Sequence, residues 1–300
     1  MSMKVLITGA TGFIGSHLVR KLSDKHEIFA LSKTPPVAQR SHQTIWIEQS
    51  LNNPLEYSCL PEKVDVVIHL AQSRYYKDFP DQAGDIFAVN VDGTFKLLEY
   101  ARHVGAKRFI FASTGGIYGY SYEKFVETDP VSPINFYLSS KYIAEQLAKN
   151  YQQFFDTVVF RLFFAYGAGQ KPAMLIPRLI HSVISGTPIT LQGSEGILIN
   201  PIYISDVVEA ISRALELQGN HLINLGGPQV LSLREISNII GTQLGRLPLF
   251  TITGNQEPRH LIGDIAKMKE LLGSPLVAFS EGIGEVCREI EQATTKSNQG

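Results

Sequence analysis

Tyr137 and Lys141, four positions apart, form a candidate acid–base pair. A helical pattern follows the proline-containing stretch Pro130–Pro133, and residues four apart on a helix share one face. A free tyrosine titrates near pH ~10, but a nearby ammonium group or an oxidised nicotinamide favours its phenolate. The pair could then take a proton from a sugar or alcohol hydroxyl while hydride leaves for a cofactor. The same spacing also fits an amphipathic helix with a surface lysine.

A glycine-rich segment near the start of the chain is the second candidate site. Gly9, Gly12 and Gly15 follow an apolar stretch at a G-x-x-G-x-x-G spacing. Gly9 would permit a sharp turn, Gly12 would let a pyrophosphate approach the backbone, and Gly15 would let a helix pack closely. The unpaired N–H groups and positive dipole of a helix N-terminus favour phosphate. The order strand, turn and helix predicts a dinucleotide site rather than a structural turn.

Two hydroxyls, Ser113 and Thr114, follow the apolar stretch Phe109–Ala112. In an open parallel sheet, ligands bind at the carboxyl ends of the strands. One hydroxyl could therefore hydrogen-bond the reacting oxygen beside Tyr137. The alternative is that Ser113 or Thr114 caps the next turn.

Strand-like and helical segments alternate over the first half of the chain, as in a parallel sheet covered on both faces. The predicted strands are Val5–Thr8, Glu27–Leu31, Thr44–Glu48, Val64–Leu70, Arg108–Ser113 and Thr157–Phe163. The predicted helices are Gly12–Ser23, Phe87–His103 and Tyr137–Phe155. Past residue 165, frequent prolines and glycines predict short, irregular elements.

We therefore expect an α/β fold, a Rossmann-type doubly wound parallel sheet with a smaller mixed α/β C-terminal substrate lobe. Residues 1–165 and about 200–218 would form the dinucleotide-binding domain. Residues 166–199 and 219–300 would form the substrate-binding lobe, with Tyr203–Glu216 returning to the first lobe.

The composition excludes several other classes of protein. The 300 residues carry a net charge of −1 and are 44% hydrophobic, which leaves no basic footprint for nucleic acid or an anionic membrane. Cys59 and Cys287 lie far apart and form no metal or redox spacing. No apolar stretch reaches the roughly 18 residues of a membrane span. We expect a cytoplasmic protein with no metal.

Taken together, these segments resemble the extended short-chain dehydrogenase/reductases, the NAD-dependent epimerases and dehydratases that act mostly on nucleotide sugars. The resemblance runs from about Lys4 to Ile290. The further segments that carry it are Asp65–Ala71, Asn90–Thr94, Tyr203–Val208 and Asp264–Gly273.

The resemblance implies roles for individual residues. Tyr137 would be the catalytic base, Lys141 would bind the nicotinamide ribose and lower the pKa of the tyrosine, and Thr114 occupies the family's catalytic Ser/Thr position. The implied cofactor-binding residues are Gly9, Thr11, Gly12, Phe13, Ile14, Gly15, Ser32, Lys33, Leu51, Leu70, Ala71, Gln72, Asn90, Ser113, Tyr137, Lys141 and Phe163. His69 lies inside an apolar strand, and we interpret it as a packed, hydrogen-bonded residue rather than an acid.

The resemblance also implies a homodimer, because two long helices, Phe87–His103 and Tyr137–Phe155, are similar to those of the family's four-helix interface. Their apolar faces could equally be buried against their own sheet.

The sequence departs from the family pattern at the cofactor. NAD-preferring members end the second strand with Asp, whereas this strand ends in Ser32 and Lys33. A hydroxyl and a cation could receive a 2′-phosphate, which favours NADP over NAD. Alternatively, Lys33 is a solvated surface charge and NAD binds.

Further departures concern the substrate. Ile199 and Gly254 stand where nucleotide-sugar members carry the arginines that hold the substrate diphosphate, and Phe164 replaces an Asn. Cations that could compensate are Arg259, Lys171, Arg178 and Arg74. Gly115-Gly116 replaces the Asp-Glu pair of the 4,6-dehydratases, which argues against water elimination.

Three functions follow from these observations. The first is a sugar-nucleotide epimerase or related oxidoreductase that uses NAD or NADP, with Tyr137 as acid and base. The second is an NADP-dependent reductase of a non-nucleotide carbonyl compound, favoured by Ile199, Gly254 and the Ser32-Lys33 pair. The third is a non-catalytic dinucleotide sensor, against which the intact Thr114, Tyr137 and Lys141 argue.

Overall fold

The structure, a computed structural model, describes residues 2–36, 44–254, 256 and 258–297. The chain forms two compact units. The first consists of Met1–Gly119, Pro130–Arg161 and Val208–Ile223, and the second of Tyr120–Asp129, Leu162–Val207 and Asn224–Gly300. The predicted functions of the two lobes remain predictions.

Helices and strands alternate through the first part of the chain. In order they are β1 (Lys4–Thr8), α1 (Phe13–Leu22), β2 (Glu27–Ser32), β3 (Thr44–Glu48), β4 (Val66–His69), α2 (Ala83–Phe87), a π-helical turn (Ala88–Asp92), α3 (Gly93–His103), β5 (Arg108–Thr114), α4 (Phe136–Asn150) and β6 (Asp156–Leu162). Short 3₁₀ turns lie at Tyr57–Cys59 and Gly115–Tyr118.

The elements become shorter after β6, as the prolines and glycines predict. They are β7 (Ala165–Tyr166), α5 (Leu175–Ser185), β8 (Ile189–Gln192), β9 (Leu198–Ile199), β10 (Ile202–Tyr203), α6 (Ile204–Ala214), β11 (His221–Leu225), β12 (Leu231–Ser232), α7 (Leu233–Leu244), β13 (Phe250–Thr253), α8 (Ala266–Leu272) and α9 (Phe279–Ser297).

Seven strands form the main sheet, in the order β11-β6-β5-β4-β1-β2-β3. β1 pairs parallel with β2 and β4, β2 with β3, and β4 with β5. Strands β1 and β4 are almost entirely buried, as expected for a parallel sheet covered on both faces. The order 3-2-1-4-5-6 reverses between β1 and β4, so the prediction of a Rossmann-type sheet is confirmed. Ligands of such sheets bind at the carboxyl ends of these two strands.

The second unit contains short two-stranded sheets. β7 pairs parallel with β10, β8 pairs parallel with β13, and β9 pairs antiparallel with β12. A buried amide crosslinks this unit, because Asn200 donates to the Gly263 carbonyl over 2.9 Å and accepts from the Gly263 N–H over 3.0 Å. α7 begins with a capping box between Ser232 and Glu235. This mixed α/β content agrees with the predicted lobe.

Candidate active site

The glycine turn after β1 is shaped by contacts between backbone atoms. Gly9 has a φ of +68°, and a Cβ on it would lie 2.7 Å from the amide nitrogen of Ala71. A Cβ on Gly15 would lie 2.2 Å from the Gly9 carbonyl oxygen. Both positions therefore require glycine for packing alone. The close approach predicted for Gly15 is thus an approach of α1 to the glycine turn at Gly9 and Ala10.

The N-terminus of α1 leaves its first N–H groups available for an anion. Its N-cap residue is Gly12, so no side chain caps the helix, and its first turn carries no acidic residue. Gly12 is exposed, and its own N–H donates to the Gly9 carbonyl over 2.8 Å. A helix N-terminus of this kind binds a pyrophosphate through backbone N–H groups. The predicted residues Phe13 and Ile14 form its first turn.

The end of β2 carries hydroxyls rather than a carboxylate. Ser32 is buried, and its Oγ lies 2.7 Å from the Oγ1 of Thr11 in the glycine turn. The same Oγ accepts from the Thr34 N–H over 3.3 Å. Lys33 is exposed. The structure thus joins the glycine turn and the end of β2 through Thr11 and Ser32.

The end of β4 lies beside that of β1. His69 is fully buried, and its two ring nitrogens pair with Thr8 Oγ1 at 2.7 Å and Thr94 Oγ1 at 3.0 Å. Burial, assisted by the charge of Lys141, lowers the pKa of His69 well below its usual value. The imidazole is therefore neutral and structural, as expected from the sequence. Next to it, the Ala71 N–H donates to Thr8 Oγ1 over 3.3 Å.

Asn90 lies on the π-helical turn, a feature that often occurs at functional sites. Its Oδ1 accepts from the Ser73 N–H, and its Nδ2 donates to Ser140 Oγ, each over 2.9 Å. Ser140 Oγ in turn donates to the Tyr137 carbonyl over 2.7 Å. The Asn90 side chain is thus used inside the protein, where it fixes the first turn of α4. Its predicted contact with the cofactor remains a prediction.

Tyr137 lies in that first turn of α4, which Asn135 caps by accepting from the Leu138 N–H over 2.9 Å. The Tyr137 hydroxyl donates to Gln72 Oε1 over 2.8 Å. The ring of Tyr76 lies beside it, with 5.3 Å between the ring centroids. Burial, with a smaller contribution from Tyr76, raises the pKa of Tyr137.

Lys141 is buried one helical turn further along α4. Its Nζ donates to the Ala112 carbonyl over 2.5 Å and lies 4.2 Å from the ring centroid of Phe111. Burial lowers the pKa of Lys141 to about 7, against the opposing effect of Glu145. Desolvation dominates at both groups. Burial thus raises the pKa of Tyr137 and lowers that of Lys141 in the chain by itself, and the lowering of the tyrosine pKa by Lys141 stays a prediction.

A buried ion pair holds α4 against β6. Glu145 binds Arg161 through two contacts, of 2.8 Å and 3.2 Å, and both side chains are almost fully buried. The Arg161 guanidinium also lies 4.6 Å from the ring centroid of Tyr118 in the 3₁₀ turn after β5. This pair places the helix that carries Tyr137 and Lys141 relative to the sheet.

The two hydroxyls at the end of β5 differ in their partners. Ser113 is 4% exposed, and its Oγ has no hydrogen-bond partner among the described residues. Thr114 Oγ1 accepts from the Gly116 N–H over 3.2 Å and caps the 3₁₀ turn. A buried, unpaired hydroxyl at the ligand edge of the sheet fits a polar group of a bound cofactor.

Two further predicted cofactor residues are buried among apolar groups. Leu51 belongs to the apolar core, where it packs against Gly93. Phe163 belongs to the second unit, is 1% exposed and packs against Gly263. Their predicted contacts with the cofactor remain predictions.

The positions without the family's arginines lie in the second unit. Ile199 is fully buried on β9, and Gly254 is exposed with a φ of +70°. Phe164 has a φ of +49°. Among the cations that could compensate there, Arg259 is exposed, and its guanidinium lies 5.9 Å from the ring centroid of Tyr122.

Sequence reasoning did not identify Tyr76 or Ser140 as parts of the site. Ser140 directly precedes Lys141 and follows Tyr137 by three positions, so helical spacing could have found it. Tyr76 lies on the loop after β4, where no periodicity indicates which side chain faces the helix. Among the described residues, no cluster of metal-ligating side chains occurs, and no helix is long and apolar enough to cross a membrane.

The chain is similar to several known proteins. The model of the NAD dependent epimerase/dehydratase family matches residues 5–226. An uncharacterised UDP-glucose epimerase of Bacillus subtilis is 31% identical, over 94% of this chain and 96% of its own. A putative UDP-glucose 4-epimerase of Methanocaldococcus jannaschii is 29% identical, over 94% and 96%.

A solved structure shares the fold over nearly the whole chain. It is the UDP-glucuronic acid 4-epimerase of Bacillus cereus in complex with UDP-glucuronic acid and NAD. It has a TM-score of 0.86 and 27% identity, and the alignment covers 97% of this chain and 100% of the other. The chain thus belongs to the NAD dependent epimerase/dehydratase family, enzymes of the extended short-chain dehydrogenase/reductase type.

Proposed function

We propose that the protein is a sugar-nucleotide epimerase that uses a nicotinamide dinucleotide, with Tyr137 as its acid and base. The observation that best supports this proposal is that Tyr137 and Lys141 lie on the first two turns of α4. The Lys141 Nζ donates to a carbonyl of β5, the strand that ends in Ser113 and Thr114. The relatives support a nucleotide sugar as substrate, since those named above are epimerases of UDP sugars.

The dinucleotide fits the residues that are present. The backbone N–H groups of Phe13 and Ile14 would bind its pyrophosphate, which the exposed Gly12 would let approach, and the unpaired Ser113 hydroxyl and Lys141 would bind its nicotinamide half. When bound, the cofactor supplies an acceptor and donor of hydride. Tyr137 would take the proton of the substrate hydroxyl while the carbon is oxidised, and would return it to the same oxygen when the carbon is reduced from its opposite face. Because the net redox change is zero, an epimerase releases no reduced cofactor.

The purified protein is incubated with NAD or NADP together with one sugar nucleotide, either UDP-glucose or UDP-glucuronic acid. Formation of the C4 epimer is detected by NMR. We expect an epimer from one of these substrates. The Tyr137→Phe variant should lose about 10²–10⁴-fold of the rate and keep its affinity for the dinucleotide. Full activity of that variant would exclude Tyr137 as the base.

A reductase of a non-nucleotide carbonyl compound is the second candidate. The buried Ile199 and the exposed Gly254 favour it, because a buried diphosphate needs cationic partners. Calorimetric titration with UDP, dTDP, GDP and CDP in the presence of the dinucleotide separates the two. Binding of one nucleotide supports the epimerase. If none of the four nucleotides binds while the dinucleotide still binds, the reductase is favoured.

Two dinucleotides, NAD and NADP, are candidates for the cofactor. NAD is the cofactor named with the solved UDP-glucuronic acid 4-epimerase. NADP is favoured by the end of β2, where Ser32 and the exposed Lys33 replace the carboxylate that would repel a 2′-phosphate. Parallel titrations with both dinucleotides decide between them.

We also propose that the protein is a homodimer. Large apolar side chains remain exposed on or beside the helices α2, α3 and α4, although other faces of α3 and α4 are buried in the first unit. These side chains are Phe87, Phe95, Ile143 and Phe154. A second copy would remove them from water.

A further inference from the structure

The side chain of Gln72 makes a contact that the proposed reaction does not yet use. Its Oε1 accepts the hydrogen bond that the Tyr137 hydroxyl donates, over 2.8 Å. Gln72 is exposed, so this contact lies at the solvent side of the phenol. Any proton that Tyr137 gains or loses is therefore gained or lost beside the Gln72 amide.

The backbone holds Gln72 in place from both sides. Before it, the Ala71 N–H donates to the buried Thr8 Oγ1 over 3.3 Å. After it, the Ser73 N–H donates to the buried Asn90 Oδ1 over 2.9 Å, the same amide that fixes the first turn of α4 through Ser140. The loop after β4 and the helix of Tyr137 are thus tied to one another. This arrangement keeps the Gln72 amide opposite the phenol.

We propose that Gln72 is a positioning residue that orients the Tyr137 hydroxyl and controls its protonation. The inference rests on the proposed function, in which Tyr137 carries the substrate's proton. An amide suits both states of the phenol without adding charge. Its carbonyl oxygen accepts from the neutral phenol, and after rotation of the amide its NH₂ group donates to the phenolate.

The titratable groups with described contacts near the phenol come from three elements. From the same loop come Tyr76, whose ring lies beside Tyr137, and Lys77, whose Nζ lies 5.5 Å from the Tyr76 ring centroid. From α4 comes Lys141, which donates to the Ala112 carbonyl. From α2, Asp85 is engaged by Ser73 and Asn52. Strand β5 ends in the uncharged hydroxyls of Ser113 and Thr114.

The test places opposite charges at position 72. In Gln72→Glu, a carboxylate beside the phenol opposes ionisation and raises the pKa of Tyr137. In Gln72→Lys, an ammonium favours the phenolate and lowers it. We expect the acidic limb of the kcat/KM profile to move to higher pH in the first variant and to lower pH in the second, each by about half a pH unit or more.

The control applies the same charges at Gln82, near the other end of the loop and without a described contact to Tyr137. Gln82→Glu and Gln82→Lys should leave the pH profile where the wild type has it. Parallel shifts at both positions would mean that general electrostatics act on the enzyme. That result, or an unchanged profile in both Gln72 variants, would overturn the proposal.

A second measurement does not depend on turnover. In protein labelled with ¹³Cζ-tyrosine and saturated with NAD, the Tyr137 resonance is identified by its loss in Tyr137→Phe. We expect its ionised fraction at pH 10.5 to be larger in Gln72→Lys, and smaller in Gln72→Glu, than in the wild type. If no sugar nucleotide is epimerised but these shifts occur, the proposed function fails and the role of Gln72 stands. If epimerisation occurs without these shifts, the role of Gln72 fails alone.

Discussion

Burial and charge act in opposite directions on the pKa of Lys141. Desolvation lowers it to about 7, although Glu145 favours the ammonium form. The folded protein therefore releases this proton at a lower pH than the unfolded chain does. Between pH 7 and about pH 10 the unfolded state binds more protons, so raising the pH stabilises the fold.

This linkage predicts that the difference in the free energy of unfolding between the wild type and Lys141→Met depends on pH. As the pH rises from 7 to 10, the free energy of unfolding of the wild type should increase relative to the variant, by at most about 1.4 kcal/mol per pH unit. Urea unfolding at several pH values measures it. The exposed Lys149 lies on the same helix, and Lys149→Met should show no such trend. A constant difference for Lys141→Met would mean that the lysine stays charged in the fold.

A substitution at Lys33 tests whether the protein prefers NADP to NAD. If its ammonium binds a 2′-phosphate, Lys33→Ala should weaken NADP binding about tenfold, or 1.4 kcal/mol, and leave NAD binding unchanged. Fluorescence titration measures both constants, and Lys25→Ala, another exposed lysine, serves as the control. Equal affinities for NADP in the wild type and Lys33→Ala would show that Lys33 is a solvated surface charge.

At the scale of elements, the packing of α1 against the glycine turn after β1 depends on the absence of a side chain at Gly15. A Cβ at Gly15 would approach both the carbonyl oxygen of Gly9 and, at 2.9 Å, the Cα of Ala10. These are backbone atoms, so no side chain can move aside. Any larger residue must push α1 away from the turn.

Gly15→Ala should therefore destabilise the fold by about 2–3 kcal/mol and weaken dinucleotide binding. Gly84→Ala is the matched control, because it also lies in a helix and a Cβ there meets no atom within 4 Å. It should be neutral or stabilise the protein by up to about 1 kcal/mol. Thermal unfolding and titration with NAD or NADP measure the two effects. Equal stability of the two variants would show that the turn adapts.

The elements of the site differ in how well the sequence predicts them. The strand, glycine turn and helix around Gly9 follow from local spacing, and so does the shared face of Tyr137 and Lys141. The π-helical turn at Asn90 does not, because the apolar pattern of Phe87–His103 indicates a regular helix that in fact starts at Ala83. The hydrogen bonds of Asn90 to Ser73 and Ser140 are tertiary contacts, and no local pattern encodes them.

At the scale of the whole molecule, the six predicted strands and their helical crossovers give most of the sheet. The sequence does not predict β11, a five-residue strand next to β6. It lies where frequent prolines and glycines indicate only short, irregular elements, and it joins the sheet only through a strand about sixty residues earlier in the chain. The raised pKa of Tyr137 also depends on burial, which one sequence does not report.

The dimer proposal makes a prediction about assembly. The wild type should sediment as a dimer at micromolar concentration, and Phe95→Glu should sediment as a monomer, because a charge would replace an exposed apolar ring on α3. Leu276 is 83% exposed and belongs to the second unit, so Leu276→Glu should remain dimeric. A monomeric wild type would refute the dimer.

The path of the chain also bears on its synthesis. The unit with the glycine turn is assembled from three separated stretches, the last of which, Val208–Ile223, supplies most of the edge strand β11. A ribosome adding about 5–20 residues per second needs roughly 3 to 13 seconds between the end of β6 and the end of β11. During that time β6 has no neighbour on its outer side, and the nascent chain presents an open strand edge. Chaperones that shield such edges should therefore matter more for the yield of this protein than for the stability of its finished fold.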